Sequence, residues 1–286
     1  MQEDYLTKIR SAYNQFTKAE KKVADYILAN PNKVLFMSIS DLAEACNVGD
    51  TSVFRFCKTM NVKGYQEFKM MLSLSMRSTD EDITETSERN ITLEDDISKL
   101  AKKVLTENIS AIQETYSLLD LKQMTAAMDL LSGARKIIFF GAGTSMLTAM
   151  KAMNKFLRIE QKVYCNEVVN VQLMTAATMS PDDVAVIFSY SGATKDTVEI
   201  ARLVKEAGAR TIVITRFNRS PLTEYADIIL LCGANEGTLQ SGSTSAEISQ
   251  LFLVDIMYSE YYRRHYKRCS AYLEKTSKAI ADKSFN

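Results

Sequence analysis

The stretch AVIFSYSGATKD, residues 185–196, passes without a spacer from an apolar run to a turn of four hydroxyls and one glycine: Ser189, Tyr190, Ser191, Thr194 and Gly192. Its apolar part does not alternate, so both faces of the strand it predicts are covered, which is the habit of a parallel sheet. Working outward, similar β-rich runs stand at Lys136 to Phe140, Lys162 to Cys165, Val184 to Ser189, Thr211 to Thr215 and Asp227 to Leu231. Amphipathic helical segments separate them. The expected fold of this half is therefore a three-layer α/β domain, a five-stranded parallel sheet with helices on both faces, in the flavodoxin-like order 2-1-3-4-5.

That order places a switch point between strands 1 and 3, where ligands of open α/β sheets bind. Strand 1 ends in Gly141-Ala142-Gly143-Thr144-Ser145 and strand 3 in the hydroxyl turn, and each opens a helix. Glycines such as Gly143 let backbone N–H groups approach an anion, helix N-termini favour negative charge, and Ser189, Ser191 and Thr194 can converge on phosphate oxygens. A dinucleotide fingerprint fails because Met146 stands where the third glycine belongs, although Glu167 lies late enough to serve a ribose. Hydroxyls without cations suit a ligand that is part phosphate and largely hydroxyl, such as a sugar phosphate. No cofactor is expected.

The 286 residues allow two domains, and 35 basic against 35 acidic residues give no global field, so any nucleic-acid partner must be met by a local patch. Five scattered cysteines (Cys46, Cys57, Cys165, Cys232, Cys269) form no CxxC pair, which predicts buried thiols rather than zinc or disulfides. The chain begins without a basic-then-apolar leader and holds no bilayer-length apolar run, so a cytoplasmic protein with no membrane partner is expected.

Residues 1–77 read as an all-α domain, 78–98 as an acidic linker with eight acids and one base, and 99–286 as the α/β domain with flanking helices. A capping box at Thr17 to Glu20 opens the first clear helix. Within 38–69, SISDLAEACNVGDTSVFRFCKTMNVKGYQEFK, Ser38 and Asp41 form a second capping pair, and Leu42, Ala43 and Ala45 or Cys46 supply a packing face. Gly49 is able to take a positive φ, and Asp50 caps a second helix whose Val53, Phe56, Cys57 and Met60 face the core. Thr51, Ser52, Phe54, Arg55 and Lys58 are left outside, as on a recognition helix presented to a major groove, with Lys63 and Tyr65 placed to hold flanking backbone. The charge excess of 1–77 is mild, eleven Lys and Arg against eight Asp and Glu. Such a reader gains affinity from two half-sites, so a homodimer or higher oligomer on double-stranded operator DNA is expected.

These residues resemble the N-terminal domain of RpiR/MurR-type transcriptional regulators through Leu42-Ala43, Val48, Thr51, Val53, Arg55-Phe56, Gly64-Tyr65 and Phe68-Lys69. Departures are Gly49-Asp50 in place of a common serine and Asn61 in place of glycine. GAGTS, FSYSGATKD and ITRFNRSPLTEYADIIL resemble the sugar isomerase, or SIS, domain over about residues 120–265. The resemblance implies phosphate binding at Ser145, Ser189, Ser191 and Thr194, with Ser243 and Glu247 closing the sugar side, although Ala246-Glu247 stands where such regulators often have serine-arginine. It implies a sugar-phosphate-responsive regulator, a repressor of carbohydrate genes, and no enzyme. The alternative is a sugar-phosphate isomerase with a helical dimerisation domain, whose base would come from Glu247, Glu236 or His265.

Overall fold

The computed structural model describes residues 5–77, 94–233 and 244–281. They divide into two compact units, one of 5–77 with 94–108 and one of 109–233 with 244–281. Of the predicted acidic linker, 78–93 lies outside the described residues, and Ile97 already opens a 21-residue helix.

The first unit runs α1 (Tyr5–Ala12), α2 (Lys18–Ala29), α3 (Pro31–Val34), α4 (Ile39–Ala45), α5 (Asp50–Thr59) and α6 (Tyr65–Arg77). Both capping boxes form: Glu20 N donates to Thr17 Oγ1 while Thr17 N donates to Glu20 Oε2, and Ser38 and Asp41 exchange the same pair. Thr59 Oγ1 donates to Glu20 Oε1 at 2.7 Å, so one buried carboxylate both caps α2 and ties it to α5. The α4–α5 turn differs from expectation in two places. Gly49 is the N-cap of α5 with an ordinary φ of −84°, Asp50 is its first helical residue, and the positive φ falls on Asn47 at 51°. Asn61 takes φ 59° after α5, which explains why asparagine serves where the resembling family has glycine. Cys46 rather than Ala45 joins the core, beside Leu42, Ala43, Val53, Phe56, Cys57 and Met60. Phe56 lies 5.2 Å from Phe16 and 5.5 Å from Phe68, ring centre to ring centre, a geometry favourable beyond the area it buries.

A buried cation stands in this unit as well. Lys69, only 5% exposed, donates to Met37 O at 3.2 Å and stands over the Tyr65 ring. Burial pushes its ammonium down to about 8 from 10.5, with Asp41 opposing. The folded unit thus disfavours the proton that the unfolded chain keeps, so stability rises with pH between about 8 and 10.5. Lys69→Met is expected to stabilise the chain at pH 7 by about 1–3 kcal/mol, bounded by the size of that shift. The gain should shrink when urea unfolding is repeated above pH 9, and a variant no more stable than its parent at pH 7 would refute it.

The second unit begins in α7 (Ile97–Ser117), continues with α8 (Leu121–Gly133), and then alternates: β1 (Lys136–Gly141), α9 (Thr144–Leu157), β2 (Val163–Cys165), α10 (Val169–Ala177), β3 (Asp183–Phe188), α11 (Lys195–Glu206), β4 (Arg210–Thr215), β5 (Ile228–Leu231). Two helices complete it, α12 (Thr244–Arg264) and α13 (Tyr266–Ala281). All strand pairs are parallel in the order β2-β1-β3-β4-β5, the predicted one. β3 is buried at every position, whereas the edge strand β5 alternates between buried and half-buried. Phe139, Val186, Phe188 and Ile214 pack with α8, α9, α12 and α13 on one face. Ile138, Phe140, Ile187 and Val213 pack with α10 and α11 on the other.

Candidate functional site

In the register of β1 and β3, Gly141 pairs with Phe188, so the two loops that matter leave neighbouring strands side by side. The first is closed by Gly143, the N-cap of α9 with φ 57°, and no side chain caps that helix head. Met146 N returns to Gly143 O, and Met146 itself is buried against the sheet. Gln172 of α10 braces this loop. Gly141 N donates to Gln172 Oε1 at 3.2 Å and Gln172 Nε2 donates to Gly141 O at 3.1 Å, from a side chain only 1% exposed. Nothing in the sequence pattern singled out Gln172; its one signal is an amide inside the apolar helix VNVQLMTAA.

The second loop is held by the end of β4 and the turn beyond it. Tyr190 O accepts from Arg216 N and Thr215 Oγ1, Gly192 O accepts from Leu222 N, and Gly192 N donates to Ser189 O. Gly192 has φ 61° and lies directly on buried Ser220. The Ser220-Pro221-Leu222 turn therefore buttresses the hydroxyl loop. Within it, Thr194 is the N-cap of α11 yet makes no side-chain capping bond, so its hydroxyl is not spent on the helix. Ser191 is half-buried and accepts from Ala193 N at 3.3 Å; Ser189 is buried in the floor, where Thr197 Oγ1 approaches its Oγ at 3.4 Å. Thr144 and Thr194 are exposed and Ser145 and Ser191 half-buried, and the two helix heads on these adjacent strand ends add positive potential.

Of the predicted sugar-side residues, Ser243 lies outside the described residues, as does Glu236. Glu247, in the first turn of α12, is ion-paired with Lys151 of α9. His265 stands at the far end of α12, about 27 Å from Glu247 at the helical rise. There its Nε2 meets Ser132 Oγ at 2.9 Å, and burial with nearby Arg268 and Lys162 lowers its pKa. It cannot reach the cradle of its own chain. Among the described residues no His, Cys, Asp and Glu group is arranged for a metal ion, and no helix is long and apolar enough to cross a membrane. A cavity of about 230 Å³ elsewhere, lined by Leu118, Gln123 and Asp227, sits at the β5 edge, where Ile229 N donates to Gln123 Oε1.

On α5, Thr51, Phe54, Arg55 and Lys58 are exposed and Ser52 half-buried, on the side opposite Val53, Phe56 and Cys57; Lys63 is exposed beyond the helix. Lys58 Nζ donates to Lys63 O at 3.0 Å. Tyr65 does not belong to this surface and is a correction to the expected set. It is 6% exposed, with its hydroxyl given to Val34 O and Met37 O, so it fastens α6 to the α3–α4 connection.

The chain thus joins a helix-turn-helix unit to a doubly wound parallel α/β domain whose two helix-opening loops leave adjacent strand ends, and comparison with known proteins shows which class has this pairing. Residues 3–79 match the helix-turn-helix domain of the rpiR family and residues 130–259 the SIS domain. An HTH-type transcriptional regulator of Caldanaerobacter subterraneus is 36% identical over 283 residues, 99% of each chain. HexR of Escherichia coli, also an HTH-type transcriptional regulator, is 30% identical over 281 residues, 98% of this chain and 96% of its own. The solved structure of Vibrio vulnificus NanR complexed with ManNAc-6P superimposes with a TM-score of 0.87 at 26% identity, over 98% of this chain and 99% of that one. The chain belongs to the RpiR family of helix-turn-helix transcriptional regulators. With full-length relatives that are regulators, the isomerase alternative falls.

Proposed function

We propose that the chain is a sugar-phosphate-responsive repressor of carbohydrate-metabolism genes, a cytoplasmic homodimer with a reader over 1–77, an acidic linker over 78–98 and a sensor over 99–286. Gly143, Ser145, Ser189, Ser191 and Thr194 hold the phosphate, Ser243 and Glu247 close on the sugar, and Thr51, Ser52, Phe54, Arg55, Lys58 and Lys63 meet operator DNA. The observation that carries this reading is the pair of helix-opening loops on adjacent strand ends, with Thr194 uncommitted to capping. NanR, complexed with ManNAc-6P, supports a sugar phosphate as the ligand class. Coupling of this kind is reciprocal, so DNA must alter effector affinity by the factor by which effector alters DNA affinity.

The test is a thermal-shift screen of hexose, pentose and N-acetylhexosamine phosphates against their unphosphorylated sugars, followed by anisotropy titrations of an upstream duplex with each hit. Stabilisation by sugar and sugar phosphate alike, or hits that leave DNA affinity unmoved, would overturn the reading. Arg55→Ala is expected to weaken DNA binding about tenfold or more and to lower the salt slope by about one per protomer if Arg55 meets a phosphate, or to relax one base preference if it meets a guanine. Effector-induced stabilisation should be unchanged in that variant.

A further inference from the structure

We propose that Phe54 reads the 5-methyl group of a thymine in each operator half-site. The inference rests on the reader function proposed for α5. Thr51, Arg55 and Lys58 offer hydroxyl and cationic groups, all able to bond to base edges or phosphates, whereas Phe54 offers only a hydrocarbon face, and it is 45% exposed. Its ring is not loosely hung. Lys58 Nζ lies 5.2 Å from the ring centre, that same ammonium is tied to Lys63 O at 3.0 Å, and a Cβ on Gly64 would sit 3.8 Å from Phe54 Cε2. The ring is thus seated between a fixed cation and the backbone of the Lys63-Gly64 loop, with an outer surface presented one turn into the helix.

A major groove offers a helix one alkyl group, the thymine methyl; the other features that distinguish the base pairs there are hydrogen-bond donors and acceptors. A phenyl ring offers a phosphate no hydrogen-bond donor, and the ammonium that covers one side of the ring spends one of its three donors on Lys63 O and keeps the others for the adjacent backbone. The pairing of Phe54 with Lys58 therefore matches one base-edge methyl beside one phosphate, a combination that would fix register as well as identity.

The experiment uses the full chain and an operator selected from a randomised duplex pool, in which each thymine is replaced singly by deoxyuridine. The wild type is expected to lose about fourfold in affinity at one thymine per half-site, the amount a buried methyl supplies. Phe54→Ala should bind the parent operator at least that much more weakly and show no further loss at the same position, while Phe54→Leu keeps part of the methyl dependence. Equal deoxyuridine effects in wild type and Phe54→Ala at every position would overturn the inference, as would a methyl-insensitive operator. If selection enriches no sequence at all, the reader function itself fails, and the two failures are separable.

Discussion

Replacing Gly192 with alanine is expected to destabilise the α/β unit by about 2–5 kcal/mol and to abolish effector binding, while ligand-free DNA binding survives. Two costs add. The φ of 61° belongs to the left-handed region, where an L side chain costs about 1–2 kcal/mol. The new Cβ would also lie 2.2 Å from Ser220 Oγ and 2.7 Å from Ser220 Cβ. Rotating the serine relieves the first contact and not the second, so backbone must move, and overpacking of that kind costs about 1–3 kcal/mol. Ser220 is buried, and its turn also carries Leu222, whose N–H holds Gly192 O at 3.0 Å, so displacement pulls the hydroxyl loop off its buttress. For a unit of this size the transition should fall by about 10 °C. Gly143→Ala supplies the control. Its φ of 57° comes with ψ −132°, a region that L side chains rarely enter, but a Cβ there meets nothing within 4 Å, so it should cost about 1–3 kcal/mol. Equal losses at Gly143 and Gly192 would show that conformation, not the Ser220 contact, sets the penalty.

The contrast between these glycines shows what was legible in the sequence. Strand positions and their order were readable, because runs such as AVIF admit no solvent-facing side and the hydroxyl turns punctuate them. That the two loops leave adjacent strand ends came from the order alone. The buttress did not, since Thr215, Ser220 and Leu222 lie more than twenty residues beyond the loop and look like an ordinary turn. Gln172 was silent for the same reason: its two bonds to Gly141 span 31 residues and leave no periodic trace. Tyr65 misled because an aromatic just past a lysine and a glycine resembles an exposed anchor. Its acceptors, Val34 O and Met37 O, belong to a connection that local pattern cannot place. The positive φ of the α4–α5 turn sits on Asn47, a residue that tolerates that region, and Gly49 merely comes after it.

The double substitution Ser189→Ala with Ser191→Ala is expected to lower effector affinity by about 10²–10⁴ while leaving the ligand-free protein within about 1 kcal/mol of its parent. Hydrogen bonds to a charged group contribute about 1.5–3 kcal/mol each, and two are removed. Their present partners are weak by comparison: Ser189 Oγ receives a long 3.4 Å approach from Thr197, which can instead bond Thr194 O at 2.9 Å, and Ser191 receives Ala193 N at 3.3 Å. An effector at ten times its Kd stabilises the wild type by about 1.4 kcal/mol, and at that concentration the variant is at most about a tenth occupied, so the thermal shift that reports it should all but vanish. Because linkage is reciprocal, operator affinity should then be the same with and without effector, at the value of the ligand-free parent. The single variants divide the effect. Ser191 is half-open and Thr194 exposed, whereas Ser189 lies in the floor, so Ser191→Ala should cost the larger share if the phosphate rests on the loop rim. Ser189→Ala should cost more if the phosphate sinks to the floor between the heads of α9 and α11. Retention of the full thermal shift in the double variant would place the effector outside this cradle. Loss of DNA binding without ligand would mean instead that these hydroxyls maintain the fold.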